Sequence, residues 1–582
     1  MYLGSPMKKT PINLLVLLAA ASCAGPGPAP EPADLVIHHA KVITVDAQFS
    51  IAEAIAVKGG RIVALGNDGE IFRWVGPSTR VIDAEGFPVL PGLYDSHVHI
   101  VGAATSELTE PIPELATLDD AFAFIRKRAA EIPAGQWIVL RYAFATRLKE
   151  ARFPTKAELD AAAPNHPVRY NMGPADLVNS KGLQASGITK DTAHAGVVKD
   201  PASGEPTGLL RGADKLLKIP ASTAKPRMST RDAVRGLLTL YNSRGLTSVA
   251  DRDAEPDELA LFLDLEKAGE LTCRINVARS FDPSGSREEI VKKLEALTAP
   301  DGRGGPTGAG TEWVRIGPIK LYTDGGMLLG TAYMREPWPK GPTYQVTEDN
   351  WRGKLNITPE QFKVVLTEAA RRGWQTTAHT AGEAGMDVLL DAYEAVNATV
   401  SIRDKRWCIT HANFPSQRNL ERCRRLGVCA DVQPAWLYKD GTTLSKLLGE
   451  ERIRWFQPYK SWMEYTTIGG GSDHMIKVDP LRATNPWDPW LGMWTTLTRK
   501  TERGDVLVPE ERLTREQALK LYTIHNAYLH HEEKEKGSLE VGKLADLIIV
   551  DRDVLNCPVD EIRRVNVLVT IVGGKIIYSR EP

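Results

Sequence analysis

The chain has 582 residues, of which 42% are hydrophobic and 25% charged, with a net charge of −1. That length exceeds one typical domain, and the composition is ordinary for a soluble globular protein. A near-zero charge with no long basic run argues against an electrostatic footprint for nucleic acid or for a membrane surface.

The chain opens on a leader. Met7-Lys8-Lys9 is a short basic region, and Leu14 to Ala21 is an unbroken apolar run (LLVLLAAA). Such a run is too short for a bilayer, which takes about 20 residues, but it suits a secretory signal over 1–23. The small residues before Cys23 resemble a bacterial lipoprotein signal, with Cys23 as the lipidated residue; a simple signal peptide with an incidental cysteine is the alternative. Either leader predicts export, to the periplasm or to a lipid-anchored place in a bacterial envelope. Residues 24–32 read as a flexible or polyproline-like linker. Beyond Cys23, the five cysteines match no zinc module. An oxidising compartment permits a disulfide among Cys408, Cys423 and Cys429, with buried thiols the alternative.

Next come two distant look-alikes, AIAVKGGRIVALG (54–66) and VLVTIVGGKIIYS (567–579). Gly-Gly between β-rich runs is a hairpin signal, because both turn positions can take positive φ. With the flanking strands at 34–46 and 545–553, they predict one small β-domain from both chain ends, over 33–90 and 537–582.

Between them, 91–536 alternates strand-like and helix-like segments. The strand-like ones are 136–143, 245–251, 271–279, 314–324, 373–380, 406–413, 427–434 and 465–473; 362–373 and 386–396 have helical apolar spacing. Alternation argues for a parallel sheet, and the length suits a (β/α)₈ TIM barrel with insertions at about 102–240 and 325–360. A doubly wound sheet lacks its glycine fingerprint here. GRGGPTGAG (302–310) lacks the Lys-Ser/Thr of a phosphate loop and reads as surface.

PGLYDSHVHI (91–100) places His97 and His99 two apart. Twelve histidines placed at random would give about a quarter of one such pair, so the motif alone is weak. The other strand ends change this. Lys320 lies in IKLYTDG, His379 in TTAHT, His411 in CITHAN and Asp473 in GGGSD. A barrel would send all of these into one mouth. Side chains at 97 and 99 share a strand face, and two imidazoles with a carboxylate can hold a cation. The remaining histidines read as surface or hydrogen-bonded residues.

The order of these segments resembles the metal-dependent amidohydrolase superfamily, specifically the amidohydrolase 3 branch with N-substituted formamide deformylases. PGLYDSHVH, GEPTGLL (204–210), IKLYTDGG (319–326), AHTAGEAGMDVLLDAYE (378–394), ITHAN, DVQPAW (431–436), GGGSD and GSLEVGKLADLIIVD (537–551) carry the likeness. It implies a TIM barrel with a β-sandwich made from both chain ends. It also implies that His97, His99 and Asp473 bind one divalent metal, that His379 and His411 bind a second, and that a carboxylated Lys320 bridges them. An uncarboxylated Lys320 paired with Asp324 beside a single metal is the alternative. Zinc is the default, and iron, manganese or nickel fit the same donors.

The activity implied is hydrolysis of an amide-type C–N bond in a small molecule (an N-formyl or N-acyl amine, or a cyclic amide). Metal-activated water would attack, and Asp473 would move the proton. An ester or carbamate hydrolase and a non-catalytic surface metal-binding lipoprotein are the competing readings. His474, Trp436, Tyr333 and Trp338 are candidate substrate contacts. The oligomeric state is open, with a homodimer compatible. Three stretches depart from relatives: Ala143-Phe144-Ala145 stands for Gly-Trp-Asp, Met172-Gly173-Pro174 for Asp-Gly-His, and Glu383 for Asp. The first two alter expected substrate contacts.

Overall fold

The structure is a computed structural model that describes residues 30–173, 175–221, 225–297 and 305–580. The leader with Cys23, linker residues 24–29, Pro174 and residues 302–304 of the glycine-rich stretch lie outside the described residues.

Eight parallel strands form the centre: β1 (Leu93–Val98), β2 (Leu246–Ala254), β3 (Arg274–Ser280), β4 (Val314–Tyr322), β5 (Thr376–Thr380), β6 (Cys408–His411), β7 (Cys429–Val432) and β8 (Ile468–Gly470). Each pairs with the next in sequence. The seam between β8 and β1 closes just past β8. There the Asp473 N–H donates to the His97 carbonyl and the His99 N–H to that of His474, each at 2.8 Å. Ile316, Ile319 and Leu321 on β4 and Ile409 on β6 are essentially inaccessible. Such strands read as continuous apolar runs because both faces are covered, by the barrel interior and by helices. The result is a nearly closed (β/α)₈ barrel.

Gly469-Gly470-Gly471 lets β8 approach that seam. A Cβ on Gly471 would lie 2.7 Å from both the amide nitrogen and the Cβ of His97. Neither atom can retreat without moving β1. Gly471→Ala is therefore expected to cost about 1–3 kcal/mol by overpacking. A urea midpoint equal to wild type would contradict the close approach.

The chain ends build two facing sheets. One orders Arg61–Gly66, Ala54–Lys58, Leu35–His38 and Arg80–Asp83; the other orders Lys575–Ser579, Val567–Val572, Leu547–Val550, Pro88–Pro91, Lys41–Ile43 and Ile51–Ala52. Leu35, Ile37, Ile55 and Val57 of the first pack on Val42, Val89, Leu547 and Ile571 of the second. Both Gly-Gly turns are left-handed at both positions: Gly59 and Gly60 at φ +56° and +77°, Gly573 and Gly574 at +56° and +75°. The turns also touch, since a Cβ on Gly60 would meet the Gly573 carbonyl at 3.0 Å.

The strand expected at 136–143 is Ile138–Leu140, and it belongs to the first insertion rather than to the barrel. It edges a separate five-stranded sheet with Val168–Asn171, Ala175–Val178, Pro206–Arg211 and Val197–Lys199, all from the first insertion. An apolar run of strand length does not encode which sheet it joins. No disulfide forms among the described cysteines: Cys273, Cys408, Cys423 and Cys429 are buried free thiols, and Cys557 is half-buried and free.

Under the barrel, His530 is 2% exposed, its Nδ1 lies 2.7 Å from the Asn526 carbonyl, and its ring stacks on Tyr94. Burial, reinforced by the Arg252 charge, pushes it down to about 3. The unfolded chain takes up this proton from about pH 6.5 downward, whereas the folded chain waits until about 3. The neutral imidazole thus costs stability across that window, at up to about 1.4 kcal/mol per pH unit. Buried Asp95 and Asp324, each raised to about 7, act with the opposite sign. Comparison with wild type at each pH cancels them. His530→Gln should therefore gain stability relative to wild type as pH falls from 6.5 toward 4. A pH-independent difference in urea unfolding would contradict the buried neutral imidazole.

Candidate metal centre

The C-terminal ends of β1 and β8 bring three groups together. One ligand atom from each of His97, His99 and Asp473 falls within 4.8 Å of the others. Asp473 Oδ1 is 3.3 Å from His97 Nε2 and 3.4 Å from His99 Nε2. His97 Nε2 is buried and has no hydrogen-bond partner. A buried, unsatisfied imidazole nitrogen facing a carboxylate is what a cation would satisfy. The rings of His411 and His379 continue the cluster, with centroids 5.0 Å from His97 to His411 and 4.5 Å from His411 to His379.

Two of these groups have unusual backbones. His411 has φ +74° and Asp473 φ +55°. Non-glycine residues in the left-handed region cost about 1–3 kcal/mol and concentrate at functional sites. In both cases the turn re-aims a side chain just as its strand ends.

Burial sets the protonation states. It holds His97 and His411 well below their ordinary value, and His379 down to about 3, with the Lys320 charge adding to each. These imidazoles are therefore neutral and able to donate lone pairs. Burial pulls His99 down too, but its contact with Asp473 lifts it above the ordinary value. Burial raises Asp473 in turn. Lys320 is 1% exposed on β4 and has no hydrogen-bond or ion-pair partner among the described residues. Its Nζ lies over the Tyr322 ring, 5.3 Å from the centroid.

Asp324, its partner in the alternative reading, does not reach it. Asp324 instead accepts the backbone N–H groups of Tyr333, Ala381 and Gly382 at 2.8–2.9 Å, tying the second insertion to the end of β5.

The four candidate substrate contacts divide. Trp436 is 5% exposed and lies flat on His411 with centroids 4.6 Å apart. Tyr333 is half-buried and meets Asp324 through its backbone. His474 and Trp338 are corrected. His474 is fully buried, and its Nδ1 and Nε2 are engaged by the Tyr241 hydroxyl and the Lys477 carbonyl, at 2.7 and 2.6 Å. Beyond the tight turn at Asp473 its ring faces the protein, leaving no nitrogen for a ligand. Trp338 is 1% exposed, donates its indole N–H to the Ala332 carbonyl, and packs on Tyr344, so it is core.

Three residues outside the expected set orient the candidate ligands. Asp431 Oδ2 lies 3.0 Å from His97 Nδ1, which leaves Nε2 as the free donor. Gln433 Oε1 lies 2.8 Å from His411 Nδ1. Asn485 donates to both the carbonyl and Oδ2 of Asp473, at 2.6 and 3.2 Å. Partners of this kind fix tautomer and ring angle around metals. A signal for the first two was present: Asp431 and Gln433 are polar residues two apart in the apolar segment GVCADVQP.

A nearly closed eight-stranded barrel with a His/Asp cluster at its carboxyl end defines a metal-dependent hydrolase fold with a candidate metal centre. The chain belongs to the amidohydrolase family, whose model matches residues 80–578. It is 29% identical over 572 residues to an N-substituted formamide deformylase of Arthrobacter pascens, covering 94% of this chain and 98% of that protein. It is 27% identical over 573 residues to Protein LONG AFTER FAR-RED 3 of Arabidopsis thaliana, covering 95% and 92% respectively. Among solved structures, an uncharacterized metal-dependent hydrolase from Pyrococcus furiosus superposes with a TM-score of 0.63 at 24% identity, covering 90% of this chain and all of that one. Its counterpart from Pyrococcus horikoshii gives 0.64 at 22%, covering 90% and 99%. These two likenesses speak for the fold.

Proposed function

We propose that this protein hydrolyses an amide-type C–N bond in a small molecule, an N-formyl or N-acyl amine or a cyclic amide, with two divalent metals. The observation that carries it is the unpartnered His97 Nε2 set against Asp473 and His99 in a buried cluster of neutral imidazoles. Family membership supports hydrolysis, and the deformylase relative supports an amide. His97, His99 and Asp473 would hold one ion; His379 and His411 the other, with Lys320 shared as a carbamate. Zinc suits these donors, and iron, manganese or nickel would fit. Bound there, divalent metals acidify water and polarise a carbonyl.

The chain's own residues then have distinct tasks. Asp431 and Gln433 keep His97 and His411 in their donor tautomers. Asp473, held by Asn485, accepts the proton of the attacking water and passes it to the leaving nitrogen. Trp436, flat on His411, walls one side of the mouth and excludes water there.

The test is turnover of 4-nitroformanilide, 4-nitroacetanilide and 4-nitrophenyl acetate by metal-loaded and chelated protein. Anilide cleavage that vanishes on chelation and returns with zinc is expected. Ester cleavage alone would favour the esterase alternative. Metal uptake with no turnover across the panel would overturn the enzyme reading.

A further inference from the structure

Arg147 lies in the first insertion, two residues after the Ala143-Phe144-Ala145 segment. Its side chain is only 8% exposed. Its Nε and Nη2 fork onto the fully buried carboxylate of Asp440, both at 3.0 Å. Nη2 also donates to Asn485 Oδ1 at 2.9 Å, and Nη1 donates to the neighbouring Thr484 carbonyl. Thr146 adds a hydrogen bond to Asp440 at 2.7 Å, and Thr443 returns one to the Thr146 carbonyl. Phe144 supports the guanidinium with its ring, 5.1 Å away.

The two ends of this network meet the metal centre separately. Asn485 holds Asp473 by its carbonyl and its Oδ2. Asp440 lies on the helix Pro434–Ile453 one turn beyond Trp436, which stacks on His411. Residues four apart share a helix face. One helix face therefore touches the His411 side directly and the Asp473 side through Arg147 and Asn485. A planar guanidinium can serve a carboxylate fork and an amide oxygen at once; an ammonium cannot reproduce that geometry.

We propose that Arg147 is a positioning residue that clamps Asn485, and through it the left-handed Asp473, to the helix after β7. The inserted segment thus contributes to the metal centre itself as well as to the surroundings of the substrate. This rests on the reading of Asp473 as a metal ligand and proton carrier.

The test uses full-length apoprotein and Co(II) as the probe, read by its visible d–d absorption and by competition with a chelator. Arg147→Met, Asn485→Ala and their combination are compared, with Arg147→Met/Asp440→Leu as the variant that leaves no buried charge unpaired. Orienting groups of this kind are worth about 10–100-fold in metal affinity or activity. The clamp predicts a loss of that size in Co(II) affinity for Arg147→Met and for the charge-free pair, with altered d–d bands. On 4-nitroformanilide it predicts a matching fall in kcat with KM within about threefold of wild type. The Arg147→Met/Asn485→Ala protein should be no worse than Asn485→Ala alone, because both act on one path. Arg147→Lys should not restore the bands. Additive losses, or a raised KM with wild-type kcat and Co(II) affinity, would overturn the clamp. Wild-type protein that takes up no Co(II) would instead remove the metal reading and the clamp with it.

Discussion

Asp473→Asn is expected to lower turnover by about 10²–10⁴-fold, the range set by losing a positioned proton carrier. The geometry makes this the most damaging isosteric change in the cluster. Oδ1 lies 3.3–3.4 Å from both His97 Nε2 and His99 Nε2, while Oδ2 accepts from Asn485. An amide at 473 has one oxygen for these two tasks. Turned to Asn485, it offers an NH₂ to the histidines and loses the ligand; turned to the histidines, it sets two NH₂ groups against each other. In either rotamer no group remains to take a proton. Steady-state kinetics with metal analysis checks this. A variant with full metal and activity within tenfold of wild type would show that the proton moves by another route.

Lys320→Met should separate stability from activity. A bare ammonium between Ile319 and Leu321, both inaccessible, has no carboxylate within ion-pair distance among the described residues, and the charges of Asp253, Asp473 and Asp431 offset its desolvation only in part. Burial accordingly holds its pKa below the ordinary lysine value. Removing that charge should make the apoprotein more stable by about 1–4 kcal/mol. If Lys320 carries a carbamate between two metals, the same change should cost turnover at least about 10²-fold, the equivalent of several kcal/mol of lost charge stabilisation. Lys320→Ala leaves room for a small carboxylate, so formate or acetate should recover part of the second metal. A methionine variant with two metals and wild-type rates would exclude the bridging role.

Much of the barrel and the histidine cluster was legible because strand-end chemistry survives in one dimension. A polar residue closing an apolar run, as at His379 in TTAHT or His411 in CITHAN, has few reasons to be there. What stayed hidden depends on direction and depth. His474 adjoins Asp473, yet one left-handed residue turns it into the protein. Trp338 sits in a loop rich in Trp, Pro and Gly, a composition that speaks equally for a pocket wall and for core. The sheet that Ile138–Leu140 joins was hidden because its other strands lie at 168–211, in stretches of the same insertion that no strand pattern singled out. Asn485 and Arg147 carried no local signal, since their roles arise only where three distant segments converge.

Strand Pro88–Pro91 leads straight into β1 and is flanked by Lys41–Ile43 and by Leu547–Val550. The second neighbour follows 456 residues later (547 − 91). At roughly 5–20 residues per second, a ribosome needs about 20–90 s to make that stretch. Throughout that time the segment delivering His97 and His99 has one open edge, and Val89 and Leu90, inaccessible in the finished molecule, stand uncovered. Nascent chains arrested before residue 547 should therefore be more aggregation-prone than chains released at full length.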